Sequence, residues 1–337
     1  MTEGRETREE SEQPRASPPS GTRPIKRVFV TGATGFVGRY VVKELLTRGF
    51  TPVCLVRSQA RLAQAAHDLD RNRIAGVVGT VFDRAALGEA AAQCDAAIHL
   101  VGIIREHRLK GQTFDRIHRR GTLNVVEAVK QAGIKRYVHM SALGARPDAL
   151  SAYHRTKHAA EQCIKESGLD WTIFQPSVIH GYDGEFMELM KTLACSLIPP
   201  VMPYFGKGEN RLQPVSVKDV AFCFVDALRR DETVGWSYAL GGPKSYSWKE
   251  LYAVCRKLIP GAKRWKPLIS QPVPIAKLLA VTVMKTPLVP SRLKFNLAQV
   301  QMSQEDSVCG TETVESAFQI RLRNFENELS RYAELIR

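Results

Sequence analysis

No run of about 18 uncharged apolar residues occurs in the 337-residue sequence, which excludes a transmembrane helix on sequence grounds. No C-x-x-C pair occurs either. Cys54, Cys94, Cys163, Cys195, Cys223, Cys255 and Cys309 are scattered and odd in number. That argues against a disulfide framework or a zinc site and reads as small buried apolar side chains. No His/Cys/Asp cluster has metal-ligand spacing, so no metal is expected. Residues 1–23 lack apolar periodicity and the apolar core of a secretory signal. Rich in Glu, Arg, Ser and Pro, they read as a disordered tail. These absences predict a cytoplasmic protein, with peripheral membrane attachment left open. Acidic residues are nearly missing from one stretch: Lys244 to Lys294 holds eleven Lys/Arg and only Glu250. Aromatics for stacking bases are also few there, namely Tyr246, Trp248, Tyr252 and Trp265, which argues against nucleic acid. A second basic cluster comprises Arg105, Arg108, Lys110, Arg116, Arg119 and Arg120. A solvated face is the plain reading of both, in a chain of net charge +14.

What is present is an alternation. Apolar strand-like runs at 26–31, 52–57, 74–78, 96–101, 137–141 and 171–175 are separated by helical patterns at 36–48, 85–93, 113–132 and 152–167. Continuous apolar strands between helices signal a buried parallel sheet. The expected fold class is therefore α/β: a Rossmann-type, doubly wound parallel sheet with a smaller, mainly helical C-terminal substrate lobe. The boundaries read as a tail over 1–23, a dinucleotide-binding domain over 24–242 and a lobe over 243–337, with 181–213 contributing to the lobe.

Three motifs carry chemistry. Thr31-Gly-Ala-Thr-Gly-Phe-Val-Gly38 places Gly32, Gly35 and Gly38 between the first strand and the first helix. Such a turn lets the backbone approach a pyrophosphate at a helix N-terminus. The second strand ends in Arg57 where an NAD site places a carboxylate. A cation there suits a 2′-phosphate, so NADP(H) is preferred and NAD(H) is the alternative. Tyr153 and Lys157 stand four apart on one helix face, and Ser141 ends the preceding strand. Lys157 is expected to lower the Tyr153 pKa, Tyr153 to exchange a proton with a carbonyl oxygen, and Ser141 to hydrogen-bond that oxygen.

With TGATGFVG (31–38), IHLVG (98–102), HMSALGA (139–145), YHRTK (153–157), QPSVIHG (175–181) and RLQPVSVKDVA (211–221), the chain resembles the extended or atypical short-chain dehydrogenases/reductases over about residues 26–245. The stretch 117–145 is most similar to the branch of the complex I alpha-subcomplex accessory subunit and its bacterial relatives. The resemblance implies a seven-stranded sheet and one bound nicotinamide dinucleotide. It places Thr34, Gly35, Phe36 and Val37 under the pyrophosphate and Leu100, Val101 and Gly102 along the cofactor. It sets Pro176 and Val178 at the nicotinamide end, with Lys157 also holding the ribose. Two positions depart from the family pattern. His118 stands where active reductases carry an Asn that orders a relay water, and Thr80 stands where an Asp contacts adenine. His118 and His180 are candidates for the substrate cleft; His99 reads as a packed core residue.

The expected function is hydride transfer to or from a small carbonyl or hydroxyl substrate. One alternative is a cofactor-binding accessory or assembly protein with little turnover. Another is a nucleotide-sugar epimerase or dehydratase, with Arg211 as a weak diphosphate contact. The apolar stretch 270–287, flanked by Lys263, Arg264, Lys266, Arg292 and Lys294, reads first as a helix covering the cleft. Its sharper reading makes 263–294 a docking segment for a membrane surface or membrane partner.

Overall fold

The computed structural model describes residues 24–286, 289–290 and 293–337. The tail expected over 1–23 and the basic residue Arg292 lie outside the described residues. In chain order the first half runs β1 (Arg27–Thr31), α1 (Phe36–Thr47), β2 (Thr51–Val56), α2 (Gln59–Ala65), β3 (Ala75–Val78), α3 (Arg84–Ala91), β4 (Ala96–His99), α4 (Gly121–Gln131), β5 (Arg136–Met140), α5 (Ala152–Lys165) and β6 (Asp170–Pro176). The second half runs β7 (Ile179–His180), α6 (Glu185–Cys195), β8 (Met202–Phe205), β9 (Arg211–Leu212), β10 (Val215–Ser216), α7 (Val217–Asp226), β11 (Trp236–Leu240), β12 (Tyr246–Ser247), α8 (Trp248–Leu258), β13 (Leu268–Gln271), α9 (Val273–Val281), α10 (Leu297–Met302), α11 (Glu312–Phe318) and α12 (Phe325–Tyr332).

Seven strands form one sheet in the order β11-β6-β5-β4-β1-β2-β3, and every neighbouring pair in it is parallel. This is the Rossmann-like sheet the alternation predicts. Both faces are covered, which is why the strands are apolar throughout. Val28 and Val30 point to a core shared with α1 and α7, while Phe29, between them, points to a core shared with α3, α4 and α5. Burying each such side chain stabilises the fold by about 1.5–3 kcal/mol. The chain returns to the sheet near its end, where α11 sets Phe318 against Phe174 and Tyr238, at 5.4 and 5.1 Å between ring centroids. A separate core joins α6, α8 and α12 through Met187, Met190, Tyr252, Leu329 and Tyr332.

Three features differ from the sequence reading. The long helix expected over 113–132 opens with a π-helical turn at Asp115–Arg120 before becoming α4. Such turns are uncommon and re-aim the side chains they carry; this one carries His118. The described part of the apolar stretch 270–287, which excludes Pro287, contributes the end of β13 and then α9, rather than one helix. Paired short strands, β8 with β13 and β9 with β12, brace the lobe. The basic cluster of 105–120 is extensively engaged. Arg108 pairs with Glu106, Arg119 and Arg120 pair with Asp115, and Arg116 lies over the Phe82 ring at 4.7 Å.

Candidate functional site

The glycine turn leaves a helix end open. Gly32 sits at φ +79°, and a Cβ there would lie 3.1 Å from the Leu100 carbonyl carbon. A Cβ on Gly38 would lie 2.1 Å from the Gly32 oxygen, so α1 and the turn touch backbone to backbone. The Gly35 amide closes the turn by donating to Gly32 O at 3.0 Å. The N-cap of α1 is Gly35, with no side-chain cap and no acidic residue in the first turn. The first amides of an uncapped helix are unsatisfied donors at its positive end, and an anion completes them. The Phe36 ring turns away toward Gly181 and Gly184, whose added Cβ atoms would fall 3.0 and 2.7 Å from it. Thr34, Gly35, Val37 and Gly38 keep their backbone at the open end. Arg57 is exposed just past β2, followed by Ser58, whose hydroxyl accepts the Arg61 amide and starts α2. Thr80 turns the chain toward α3 by accepting the Phe82 amide.

The neighbouring strand ends gather the other group. Ser141 follows β5, is 3% exposed, and its Oγ makes no hydrogen bond of ordinary geometry. Lys157, also 3% exposed, donates from Nζ to Met140 O at 2.9 Å. A Cβ on Gly102 would meet Lys157 Nζ at 3.1 Å and His118 Nε2 at 3.7 Å. Those two nitrogens therefore converge on the turn after β4. Tyr153 is packed edge-to-face against His118 and His154, each at 5.3 Å, and Phe114 at 5.8 Å. The sequence reading expects Lys157 to lower the Tyr153 pKa. Instead, burial pushes the Tyr153 phenol up to about 12, because desolvation of the phenolate dominates. Tyr153 is thus a protonated donor at neutral pH. Burial likewise brings Lys157 down to about 8, opposed by the charge of Glu161.

His118 departs from a simple relay. Its Nδ1 lies 2.9 Å from Thr156 Oγ1, and its Nε2 lies 3.1 Å from both the Ile103 amide nitrogen and the Ile103 oxygen. Either neutral tautomer therefore holds the turn after Gly102 against α5. Burial, then the Lys157 charge, keeps its pKa well below the ordinary histidine value. His99 is wholly buried, as expected, and polar on both sides: Thr31 Oγ1 is 2.5 Å from Nδ1 and Thr122 Oγ1 is 3.1 Å from Nε2. Since Thr122 donates to His118 O, His99 donates through Nε2 and accepts from Thr31.

Sequence reasoning missed Glu161, four residues after Lys157 and 3% exposed. Its carboxyl is raised by burial against the opposing dipoles of Ser141 and Gln175, and Gln175 Nε2 donates to it at 2.9 Å. The i, i+4 spacing with Lys157 was the available signal. Also missed was a clasp in which Glu305 pairs with Arg146 and lies 3.9 Å from His154.

The remaining candidates lie elsewhere. Leu100 is buried under Gly32, and Val101 is partly buried. Pro176 ends β6, and Val178 packs into the lobe core. His180 is buried in the lobe, with Nδ1 2.9 Å from the Tyr332 hydroxyl, and burial lowers it to about 4. A cleft of about 880 Å³ runs from Thr34 past Arg39, Tyr40 and His180 to Lys218 and Tyr332. Ser141, Tyr153 and Lys157 are not among its walls. Arg211 is held by Ser245 and Glu250 within the lobe. Among the described residues no group of three or more His, Cys, Asp or Glu can hold a metal ion.

Lys157 yields a stability prediction. An unfolded lysine keeps its proton to about pH 10.5, the folded one to about 8. Between those values the unfolded chain binds more protons, so stability rises with pH; below pH 8 the full cost of the buried cation is present. Lys157→Met should therefore not lower the thermal midpoint at pH 7, and its advantage should shrink by pH 10. A midpoint that drops at pH 7 would show Lys157 to be a net structural support.

A family model described as NAD(P)H-binding matches residues 32–196, which include the glycine turn, Ser141, Tyr153 and Lys157. The NADH dehydrogenase [ubiquinone] 1 alpha subcomplex subunit 9 of Arabidopsis thaliana is 30% identical over 294 residues, covering 83% of this chain and 70% of that protein. The ceramide reductase of Caulobacter vibrioides is 32% identical over 205 residues, 60% of this chain and 62% of that one. The alignments thus span 57–70% of the length of the first three curated relatives matched. Among solved structures, the dTDP-glucose 4,6-dehydratase DesIV of Streptomyces venezuelae, with NAD and TYD bound, superposes with a TM-score of 0.67 at 19% identity over 92% of this chain and 96% of that one; at that identity it speaks to fold alone. By the glycine turn, the sheet order and these likenesses, the chain belongs to the NAD(P)-binding short-chain dehydrogenase/reductase family, on the branch of the complex I alpha-subcomplex subunit 9 proteins.

Proposed function

We propose that the protein is an NADP(H)-dependent reductase, acting on the carbonyl or hydroxyl of a small lipophilic substrate. The observation that carries this reading is the uncapped glycine turn, together with the turn after β4, where Lys157 Nζ and His118 Nε2 both come close to Gly102. These features fit a dinucleotide: open amides for its pyrophosphate, a lysine ammonium at the turn after β4, and a buried serine hydroxyl at the end of the next strand. The nicotinamide, when bound, supplies or accepts the hydride. Gly32, Thr34, Gly35, Phe36, Val37 and Gly38 hold the pyrophosphate through their backbone. Leu100, Val101, Gly102, Pro176 and Val178 flank the cofactor, and Lys157 holds its ribose. Tyr153 gives its proton to the substrate oxygen, and Ser141 donates a hydrogen bond to the same oxygen. His118 keeps the turn after Gly102 in place. A lipophilic substrate is favoured by the likeness to a protein named for ceramide reduction.

Arg57 sets the choice of dinucleotide. A guanidinium at the end of β2 pairs with a 2′-phosphate, and no carboxylate stands there for a free ribose. Fluorescence titration should show NADPH binding at least about tenfold tighter than NADH, and Arg57→Ala should remove that margin with little effect on NADH. Equal loss of both nucleotides would reassign Arg57 to adenine stacking, and binding of neither would overturn the proposal.

A second reading has one specific support. The plant relative is named as a respiratory-complex subunit, and here His118 is bound on both ring nitrogens. In that reading the nucleotide stabilises an accessory protein with little turnover. In either reading we place the chain in the cytoplasm, at a membrane periphery.

A further inference from the structure

We propose that α9 and its flanks form a docking face for an anionic lipid bilayer. α9 is inverted relative to a helix packed on a core. Its buried residues are the small ones, Ala276 and Ala280, at 0% and 5% exposure, set against Val300 with Phe205 and Phe295 alongside. Three of its large apolar residues point outward: Ile275 is 51% exposed, Leu278 61% and Val281 42%. At about 100° per residue these three occupy one arc of about 120°, with exposed Lys277 at its edge. The apolar surface continues along the chain through exposed Trp265, Ile269 and Val283. Exposed Leu197 and Ile198 extend from the loop that Lys266 holds through Ser196 O at 3.0 Å.

Charge selects the occupant. From Leu251 to Gln304 the sequence has nine Lys/Arg and no Asp or Glu. Lys263, Arg264, Lys277 and Lys294 are exposed or half-exposed around the apolar stripe. An outward apolar stripe rimmed by cations, with a tryptophan at its margin, matches the interfacial zone of an anionic membrane. A second copy of the chain would set this basic rim against itself, which like-charge repulsion opposes. Among the described residues no helix is long and apolar enough to cross a membrane, so α9 lies along the surface.

The position of α9 gives the docking a consequence that rests on the reductase reading. α9 packs on α10, whose N-cap Asn296 donates to Ile104 O at 2.7 Å, two residues after Gly102. Past α10, Glu305 clasps Arg146 and faces His154, the neighbour of Tyr153. The α9–α10 pair therefore roofs the approach to Ser141, Tyr153 and Lys157, and a bilayer-dissolved carbonyl substrate enters from the docked side.

The test is co-sedimentation of the full chain with vesicles of phosphatidylcholine alone or mixed with phosphatidylglycerol, at low and high salt. Binding to the mixed vesicles is expected, weakened by salt and by omitting phosphatidylglycerol. Each basic side chain near an anionic surface changes partitioning by about fivefold. Lys277→Glu should therefore weaken it by at least that factor, and the double variant Ile275→Asp with Leu278→Asp by at least about tenfold. Both variants should keep the parent's thermal midpoint and nucleotide affinity, because the altered side chains point away from the fold. Absence of binding to mixed vesicles, or equal binding by parent and double variant, would overturn the proposal. So would a dimer at size exclusion that the double variant dissolves. Nucleotide titration of the same preparation reads the reductase proposal separately: a chain that docks without binding nucleotide loses that reading and keeps this one.

Discussion

Tyr153→Phe should lower kcat by about 10²–10⁴ while leaving nucleotide affinity within about twofold. The phenol is half-buried and holds its proton up to about pH 12, so across the neutral range it is a donor. Removing one oxygen leaves the ring contacts to Phe114, His118 and His154 unchanged, so the fold should not respond. The comparison variant is Ser141→Ala, which deletes one hydrogen bond to the substrate oxygen and should cost about 10²–10³ in kcat, the scale of one lost donor to a developing charge. Applied together, the two changes should cost less than the product of their separate effects, since both serve one oxygen. The measurement is carbonyl reduction with NADPH across a panel of long-chain ketones. Equal rates for parent and Tyr153→Phe would remove Tyr153 from the chemistry and leave the accessory reading in possession of the site.

The likeness between sequence and structure is uneven, and the unevenness has physical causes. The parallel sheet was legible because its strands are buried on both faces, leaving apolar runs such as Val28-Phe29-Val30 that no half-exposed strand would show; its seven-strand count came from the family resemblance. The glycine turn was legible because the close backbone approach at Gly38 admits no side chain. The π-helical turn at 115–120 was not, since an extra residue in one turn hardly disturbs the apolar period of a long helix. The orientation of His118 depends on Ile103 and Thr156, 15 and 38 residues away. Two-residue strands such as β9 and β12 are too short to leave a period. The outward face of α9 was hidden for another reason. An apolar run announces burial, but it does not say whether the burying medium is the protein's own core. Here two alanines and Val273 face that core, while Ile275, Leu278 and Val281 do not.

Gly38→Ala should both unfold the turn and abolish nucleotide binding. The new methyl would sit 2.1 Å from Gly32 O and 2.8 Å from two backbone atoms of Ala33. None of these is the tip of a flexible side chain, so relief requires backbone movement. Retreat toward β4 is limited, because even a methyl on Gly32 would fall 3.1–3.3 Å from Leu100 and Val101. The remaining direction swings the turn off the N-terminus of α1 and scatters the amides that face an anion. Overpacking of this kind costs about 3 kcal/mol, and binding of NADPH and NADH should fall together by more than about a hundredfold, in contrast to the selective loss from Arg57→Ala. Gly88→Ala is the matched control. Gly88 lies in α3 with nothing within 4 Å of an added Cβ, so alanine there should stabilise the chain by about 0.5–1 kcal/mol and leave nucleotide binding untouched. Denaturant unfolding and nucleotide titration of the three proteins decide the matter. A Gly38→Ala protein that binds nucleotide as the parent does would show that α1 does not present its N-terminus to the ligand, whatever the family resemblance implies.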